Sequence, residues 1–373
     1  MSIVLIKIKT MKTMKTMKTM KTINLQKLLL LALIIIISGC SKNNPDPILN
    51  IDYTNGYFIT NEGNLGDANG SISFVSEDGV VENDVFISNN SVSALGDVVQ
   101  SMSIIGDYAY IVVNNSNKIE IVTADSMKYV STIDVGFPRY IKQVSDEKAY
   151  VTTWGTGFGT EVKVLDLNTN TITGSIECGS GPDAIEVSNG FAYVCNVGGW
   201  SSDNTVSVID IYTDNIVAIL EVGDNPNSLS VDVNGDIWAL SHGNIVYDPW
   251  PIISTTEGSQ GTLVKISNNS IVNTYTFPLG SKAKNLIIND NGDELYYSYN
   301  NSVYTFNINS SSLSETPIIN KDFYGLGFNN NYIYAGIASD FQSSDWSYRY
   351  TSTGLLVDSV NVGIAPNGYC FTN

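Results

Sequence analysis

The sequence has few of the residues on which most metal sites and acid–base sites depend. Its 373 residues include one histidine and four cysteines, and only 15% of them are charged. A single histidine excludes a site with several histidine ligands and most catalysis by paired histidines. The sequence also lacks Gly-x-Ser-x-Gly, a phosphate-binding loop, Cys-x-x-Cys and His-Glu-x-x-His. These absences favour a binding protein over an enzyme.

Basic residues are also scarce, and they are unevenly placed. The chain has 19 Lys and Arg against 37 Asp and Glu, a net charge of −18. Residues 1–39 contain seven of the lysines and no acid, so residues 40–373 carry 12 basic against 37 acidic side chains, a net charge of −25. A body this acidic repels polyanions, which excludes nucleic acid as a partner.

The single long apolar run lies near the N-terminus, from Leu28 to Ile37, after Lys21 and Lys27. A basic start followed by about ten apolar residues is typical of a secretory signal peptide. The run ends in Ser38-Gly39-Cys40, which resembles the bacterial lipobox, in which the cysteine becomes the diacylated N-terminal residue. We therefore predict a signal peptide over 1–39, lipidation at Cys40 and a flexible tether over 40–55. An ordinary transmembrane anchor is the alternative.

Residues 11–22 repeat Met-Lys-Thr. Met20 is a candidate initiator, which would leave residues 1–19 untranslated.

The rest of the chain repeats with a period of 44 residues. Pro138, Pro182 and Pro226 are spaced 44 residues apart, and each ends a short segment that begins with Val-Gly or Cys-Gly. The segment Val362–Pro366 repeats this pattern near the C-terminus. Each unit contains four short β-type runs, and the turns within it are rich in Asn and Gly, which tolerate positive φ.

Four antiparallel strands in about 44 residues are typical of a β-propeller blade. A split blade would have Asn367–Phe371 as its innermost strand and 57–61, 71–75 and 80–87 as its outer strands, which closes the ring without a free edge. We therefore predict an all-β fold over 56–373, a seven-bladed propeller of four-stranded antiparallel blades, the last closed by N- and C-terminal strands. The six whole blades are predicted at about 101–135, 138–178, 182–222, 226–277, 284–319 and 324–362.

The repeat resembles that of propellers whose unit of roughly 40 residues carries a Tyr-Val-Thr-Asn tetrapeptide. The tetrapeptide appears as Tyr150-Val151-Thr152-Thr153 and as Tyr193-Val194-Cys195-Asn196. The resemblance covers about residues 57–372 and implies the fold, but it implies little about function, because propellers carry many functions.

The loops after the second strands and those leading into the first strands share one face of a propeller. Several of these loops are long, and 241–261 is predicted as a loop of about twenty residues, a length that is usually functional. Aromatic rings framed by amides suit a large ligand with apolar faces and a polar rim. The predicted ligand-binding residues are Arg139, Trp154, Phe158, Trp200, Asn225, His242, Tyr247, Trp250, Phe341 and Trp346. The alternatives are that the aromatic rings pack their own loops and that Arg139 forms a salt bridge at the rim.

The lipobox, the blades and the acidic body together resemble a group of Bacteroidota surface lipoproteins with a propeller domain of unknown function. Some members bind cobalamin at the cell surface and pass it to a TonB-dependent outer-membrane transporter. The resemblance implies a non-enzymatic, lipid-anchored protein of the outer membrane, exposed at the cell surface, that captures a corrinoid or another large nutrient. No cofactor and no resident metal are expected.

Two other functions are open from the residues alone. An enzyme of lyase or lactonase type would use His242 with a metal on the same face. An adhesion scaffold for protein or glycan would present Trp154, Trp200, Trp250 and Trp346 as a flat exposed patch.

Overall fold

A computed structural model of the protein describes residues 52–92 and 94–372. The predicted signal peptide, the lipidation residue Cys40 and the tether up to residue 51 lie outside the described residues. Within the described part, the strands form seven sheets, one for each blade, and one additional two-stranded sheet. The prediction of an all-β, seven-bladed propeller is therefore confirmed.

The chain first forms the outer part of the split blade, blade 7, and then blades 1 to 3 with four strands each. These elements are β1 (Gly56–Asn61), β2 (Ser71–Ser76), β3 (Val81–Glu82), α1 (Val85–Asn89), β4 (Val99–Ile105), β5 (Tyr108–Val113), β6 (Lys118–Thr123), β7 (Tyr129–Asp134), β8 (Pro138–Ser145), β9 (Lys148–Thr153), β10 (Glu161–Asp166), β11 (Thr171–Glu177), β12 (Pro182–Ser188), β13 (Phe191–Asn196), β14 (Thr205–Asp210) and β15 (Asn215–Glu221).

Blade 4 contains the additional hairpin of β18 and β19, blades 5 and 6 follow, and the last strand completes blade 7. These elements are β16 (Pro226–Val231), β17 (Ile237–Ser241), β18 (Ile245–Tyr247), β19 (Ile253–Gly258), β20 (Gln260–Ser267), β21 (Ser270–Leu279), β22 (Lys284–Ile288), β23 (Glu294–Tyr299), β24 (Ser302–Asn307), β25 (Gly325–Asn329), β26 (Tyr332–Gly336), β27 (Trp346–Thr351), β28 (Leu356–Asn361) and β29 (Pro366–Phe371).

Blade 7 joins the two ends of the described chain. Strand β29 pairs antiparallel with β1, so that Tyr57 lies opposite Phe371, and β1 pairs with β2. As the inner strand of blade 7, β29 also contacts the inner strands β25 and β4 of the neighbouring blades. The ring is closed by backbone hydrogen bonds, as the sequence predicts.

The burial pattern of each strand follows from its place in the blade. Middle strands are covered on both faces and read as nearly continuous apolar runs, such as Tyr-Ala-Tyr-Ile-Val-Val in β5. Outer strands have one face in solvent, so β15 alternates exposed and half-buried residues from Asn215 to Glu221. The hydrophobic core lies between adjacent blades. Trp238 of blade 4, for example, packs edge-on against Phe306 of blade 5 with ring centroids 5.4 Å apart.

Two outer strands differ from their predictions. The segment 80–87 was expected to be a strand, but β3 covers only Val81–Glu82 and α1 follows it at once. The physical reason is that Val85 and Phe86 reach the core from consecutive positions, which a helical turn allows and an outer strand with one face in solvent does not. Blade 5 has three strands instead of four, because in place of the fourth strand only Ile319 bridges to Val303 of β24.

The loop predicted at 241–261 also differs. It contains the paired strands β18 and β19, with Tyr247 opposite Ile253. This hairpin is called the arm below.

The last residue of the tetrapeptide bonds either to the neighbouring strand of its own blade or to the loop that leads into the inner strand of that blade. The Nδ2 atom of Asn196 donates to Thr205 Oγ1 at 2.8 Å and to Ser207 Oγ at 2.9 Å on the neighbouring strand. In blade 2 the equivalent Thr153 hydroxyl donates to the carbonyl of Gly136, which lies just before Pro138. The motif therefore fixes the loops that lead into the inner strands.

Asn367 joins three segments at the closure of the ring. Its Oδ1 accepts a hydrogen bond from the Thr60 hydroxyl at 2.6 Å, and its Nδ2 donates to the Val99 carbonyl at 3.0 Å. We expect Asn367→Ala to lower the free energy of unfolding by about 1–3 kcal/mol, because it leaves partly buried groups without partners. Urea unfolding monitored by circular dichroism measures this loss.

Asn273 is the matched control, since it is exposed on outer strand β21 and its side chain bonds to no described residue. Asn273→Ala should change the free energy of unfolding by less than about 0.5 kcal/mol. Equal effects of the two substitutions would contradict a role of Asn367 in closure.

Candidate functional site

The two faces of the propeller differ in their loops. On one face, called the upper face, lie the loops after the second strand of each blade and the loops leading into the inner strands. The opposite, lower face carries the turns after the first and third strands, such as Asn189–Gly190 and Asn330–Asn331. Because the long loops and the arm are all on the upper face, the candidate site lies there.

A β-bulge at the start of the inner strand recurs around the upper face. The register with the second strand shifts just after the first residue in six of the seven inner strands, with β25 of blade 6 as the exception. A bulge re-aims a side chain, and the residue it re-aims here is polar in each of the six strands. This polar ring consists of Gln100, Arg139, Asp183, Asn227, Asn285 and Asn367.

Most members of the polar ring bond to the next blade. Asn227 donates to the Ala283 carbonyl at 3.0 Å, and Asn285 donates to the Tyr324 carbonyl at 3.2 Å. Arg139 donates from Nη1 to Gln100 Oε1 at 2.5 Å and from Nε to Asp183 Oδ2 at 2.9 Å.

Blades 6 and 7 are linked differently, because blade 6 has no bulged polar residue. The Tyr324 hydroxyl of blade 6 donates to Glu62 Oε2 of blade 7. These bonds, with those of Asn367 described above, make the ring chiefly a set of links between blades.

The boundary between blades 3 and 4 has no side-chain bond of the polar ring. Among the described residues, no side chain of blade 4 bonds to Asp183, the ring member of blade 3. The central channel contains a cavity of 710 Å³ that inner-strand residues of all seven blades line, and at this boundary the cavity extends to the loops of the upper face. Gly199 and Ser201 of blade 3 and Asn225 and His242 of blade 4 line it. The candidate site is therefore the upper mouth of the channel at the boundary of blades 3 and 4.

Asn225 and His242 are held in the cavity wall by local backbone geometry. Asn225 lies in the left-handed region, with φ 56°, and its carbonyl accepts a hydrogen bond from the His242 N–H at 3.0 Å. Its Nδ2 donates to the Gly243 carbonyl at 3.0 Å, whereas its Oδ1 accepts no bond from the described residues. A free amide oxygen at a cavity wall is suited to accept from a ligand.

The surroundings of His242 favour the neutral form of its imidazole. Burial lowers its pKa below the ordinary value, and the nearby charges of Lys282 and Lys284 act in the same direction. The hydrogen bond between His242 Nδ1 and the Gly243 carbonyl, at 3.3 Å, opposes this shift. Both charged neighbours are cations, so the imidazole lacks the carboxylate that usually orients a catalytic base.

Trp200 is the centre of an exposed aromatic cluster beside the cavity. It is 60% exposed, and its ring meets Phe137 and Phe158 edge-on at centroid distances of 5.5 and 5.6 Å. A Cβ at Gly157 would overlap the indole ring, so glycine is required there for this packing. The cluster joins the loops of blades 2 and 3 and places apolar surface on the blade 3 side of the cavity.

The arm lies on the other side of the cavity, in blade 4. At its tip Trp250 is 78% exposed, and Ile252 beside it is also exposed. Tyr247 lies at the end of β18, and the Lys282 ammonium is 5.4 Å from the centre of its ring. The cluster therefore lies on the loops of blades 2 and 3, and the arm lies on blade 4 next to the segment that leads into blade 5.

Arg139 and Trp154 lie inward of the exposed aromatics and contact each other. The Arg139 guanidinium stands 4.1 Å above the centre of the Trp154 ring, in addition to its bonds to Gln100 and Asp183. Burial raises the pKa of Asp183, and the Arg139 charge opposes that rise. The alternative interpretation of Arg139, a salt bridge at the rim, is the one that the geometry supports. The Trp154 Nε1 atom is buried without a hydrogen-bond partner.

Phe341 and Trp346 lie apart from the candidate site. Phe341 packs edge-on against Tyr324 at 5.3 Å, and both belong to blade 6, on the far side of the channel mouth. Trp346 was expected in a loop but is the first residue of strand β27, where it is exposed. In the described residues no ring pair joins any two of Trp154, Trp200, Trp250 and Trp346.

Several residues at the mouth were not among the predicted site residues. Gln100, Lys284 and Asn285 line the cavity with Tyr140, whose pKa is raised to about 12 by burial. Blades 1 and 5 begin their inner strands at Val99 and Lys284 instead of proline, so the 44-residue proline spacing does not mark them. Aligning the first two residues of every inner strand would have found them.

The described residues contain no group of three or more His, Cys, Asp and Glu side chains that could hold a metal ion. In the same part of the chain no helix has the length and hydrophobicity needed to cross a membrane.

Comparisons with known proteins identify a family and several structural relatives. The model of the family described as Domain of unknown function (DUF5074) matches residues 55–363. No curated protein matches the chain. Among solved structures, a quinonprotein alcohol dehydrogenase-like protein from Bacteroides thetaiotaomicron is similar with a TM-score of 0.65 and 16% identity over 87% of this chain and 80% of that one.

Two further structures are similar. A protein from Bacteroides uniformis named as a candidate 6-phosphogluconolactonase has a TM-score of 0.58 and 13% identity over 84% of this chain and 98% of that one. Hydrazine synthase of Kuenenia stuttgartiensis has a TM-score of 0.54 and 17% identity over 80% of this chain and 90% of that one. At these identities the likeness concerns the fold alone.

The titration of His242 tests the environment of the cavity wall. Because it is the only histidine in the chain, its imidazole resonance in a proton–carbon NMR spectrum of untagged protein needs no assignment. We expect a midpoint below about 6.5 in the folded protein. The fold favours the neutral imidazole, so this contribution to stability is present above the unfolded pKa and is lost as the pH falls through the folded pKa.

The same histidine in urea is the control and should titrate near 6.5, its ordinary value. A folded midpoint equal to or above that of the unfolded chain would contradict the burial of His242.

Proposed function

The chain belongs to the DUF5074 family, and we propose that it is a non-catalytic, lipid-anchored surface protein that captures a large ligand at the upper mouth of its channel. The ligand class proposed is a corrinoid, and the next partner is a TonB-dependent outer-membrane transporter.

The observation that supports this proposal most directly is the boundary between blades 3 and 4, which no bond of the polar ring closes. The channel cavity of 710 Å³ reaches the upper face there, and loops of the same face carry exposed aromatic surface, in the Trp200 cluster of blades 2 and 3 and on the arm of blade 4. The polar side chains of the ring are hydrogen-bonded between blades, whereas Asn225 Oδ1 accepts no hydrogen bond from a described residue. Such a combination of apolar walls and few polar groups is typical of small-molecule sites.

A corrinoid fits this chemistry. Its ring is broad and has apolar faces, which suit contact with Trp200 and Trp250. Its rim carries amides, which pair with an asparagine side chain, hydroxyls such as that of Ser201 and backbone groups. The acidic body does not oppose a ligand of this kind as strongly as it would oppose a polyanion.

The direction of the chain supports a surface-anchored protein. Strand β1 ends at Asn61 on the upper face, so the described chain begins at Asp52 on the lower face. The described chain therefore begins on the face opposite the upper mouth of the channel.

The proposal of a non-catalytic role rests on the surroundings of His242. Its charged neighbours are lysines, and its ring bonds to the carbonyl of the next residue in its own loop. Acid–base or metal-assisted hydrolysis needs a second titratable group or a set of ligands converging on the reacting atom.

Calorimetric titration of the purified protein with cyanocobalamin tests the proposal. We expect binding that is weakened about tenfold to thirtyfold by Trp200→Ala and by Trp250→Ala, since exposed aromatics that close over a ligand are typical hot spots.

Tyr212 is the matched control, because it is an exposed aromatic residue in a turn of the lower face. Tyr212→Ala should leave the affinity unchanged. Absence of binding by the unsubstituted protein would reject the corrinoid, and equal losses in all three variants would reject the location of the site.

The anchor is tested separately. Cells that express the protein and are fed labelled palmitate should incorporate the label, and Cys40→Ser should abolish this incorporation. Cys195→Ser is the control, because that thiol is buried in strand β13. Label retained in the Cys40→Ser variant would show that Cys40 is not the lipidated residue.

A further inference from the structure

A second groove lies on the lower face between blades 6 and 7. It has a volume of 570 Å³, within the range of about 300–1,000 Å³ typical of small-molecule sites. Its walls come from the second strands β1 and β26, from β27 and β28, and from the turns at Asn329–Asn330 and Glu77–Gly79. The groove is on the opposite face from the channel mouth and shares no lining residue with that cavity.

Two tyrosines present their hydroxyls to this groove. Tyr57 and Tyr334 line it, although they are only 9% and 5% exposed. Their rings pack against each other at a centroid distance of 4.7 Å and against Phe371 at 6.0 and 5.1 Å. Neither hydroxyl donates a hydrogen bond to a described residue, and the Tyr334 hydroxyl is within bonding reach of the Arg349 guanidinium as an acceptor. Burial raises the pKa of both phenols, so both keep their protons at neutral pH.

Arg349 and Asp358 add donors and acceptors without net charge. The Arg349 guanidinium donates from Nε to Asp358 Oδ1 at 3.2 Å and from Nη2 to Asp358 Oδ2. It also lies over the ring of Tyr332, 5.1 Å from its centre. The pair is exposed enough to be reached from the groove, and a vicinal diol can bond to a guanidinium and a carboxylate at the same time.

The chemistry of the walls selects a ligand class by elimination. Because Arg349 and Asp358 neutralise each other, Glu77 is the remaining charge in the lining, which repels an anion and offers a cation one carboxylate that already accepts a hydrogen bond from Asn55. A planar aromatic ligand would find the faces of Tyr57 and Tyr332 already occupied by Tyr334 and Arg349. A neutral molecule with many hydroxyl groups can use the tyrosine hydroxyls, the ion pair and the asparagine amides together. We propose that this groove binds a carbohydrate of about disaccharide size, independently of the ligand at the channel mouth.

Saturation-transfer NMR tests this proposal on the full protein, purified in lauryldimethylamine oxide because that detergent contains no sugar. The probes are maltose, lactose and N,N′-diacetylchitobiose at millimolar concentration. We expect saturation transfer to at least one disaccharide. Tyr57→Phe and Tyr334→Phe should each weaken binding of that disaccharide about threefold to tenfold, because each removes one hydroxyl donor and leaves the ring packing intact.

Tyr297→Phe is the matched control. Its hydroxyl is also without a partner, but it is buried between blades 4 and 5, far from the groove. Arg349→Lys provides a second variant that keeps the charge and loses the forked geometry, so it should weaken binding even if a tyrosine variant folds poorly.

The proposal is overturned if none of the three disaccharides shows saturation transfer. It is also overturned if transfer is unchanged in the two groove tyrosine variants and in Arg349→Lys. Neither result bears on cyanocobalamin binding at the channel mouth, so the two proposals fail separately.

Discussion

The upper face depends on one backbone feature, the β-bulge that follows the first residue of six inner strands. A bulge adds a residue that has no partner in the ladder and turns its side chain out of the regular alternation. In this propeller that side chain is polar and reaches the neighbouring blade. The bulges therefore make the mouth a ring of directional hydrogen bonds.

The positions of these hydrogen bonds explain which blade boundary at the channel mouth can accommodate a ligand. A polar group buried without a partner costs about 1–3 kcal/mol, so a boundary closed by asparagine or arginine bonds is not easily reshaped for a ligand. Between blades 3 and 4, Asp183 is instead bonded on the side of blade 2, to Arg139. At the upper face a backbone hydrogen bond links the two blades, from the Asn225 N–H to the Asp203 carbonyl at 2.9 Å, whereas the side-chain links between them, such as Ser188 Oγ to the Gly235 carbonyl, lie on the lower face. Side chains at this boundary are therefore available for recognition.

Periodic features made the fold predictable from the sequence. Prolines 44 residues apart, Asn and Gly at the turns and apolar runs in the middle strands each follow from the backbone of a blade, and the closure of the ring follows from the strands left over at both ends. Features that occur once were not predictable in this way. The α1 helix, the missing fourth strand of blade 5 and the hairpin in the arm replace a regular element with one that only tertiary packing selects.

The candidate site was predictable to a smaller extent. Loop position placed Asn225 and His242, which line the cavity, in one group with Trp200 and Trp250, which are exposed on loops of the same face. It could not distinguish Arg139 and Trp154, which contact each other, from residues that face solvent, because that distinction depends on which partner lies across a blade boundary. It also could not separate the two sides of the mouth, so Phe341 and Trp346 of blade 6 were grouped with residues of blades 2 to 4.

The lower-face groove follows from the way the ring is closed. In blades 1 to 6 a tight turn on the lower face connects the first two strands. These turns cover the lower end of the space between neighbouring blades. In blade 7 these two strands are β29 and β1, which come from opposite ends of the described chain and have no turn between them. Asn55 and Gly56, at the start of β1, line the groove. The split blade therefore both closes the ring and leaves open the space beside blade 6 that Tyr57 and Tyr334 line.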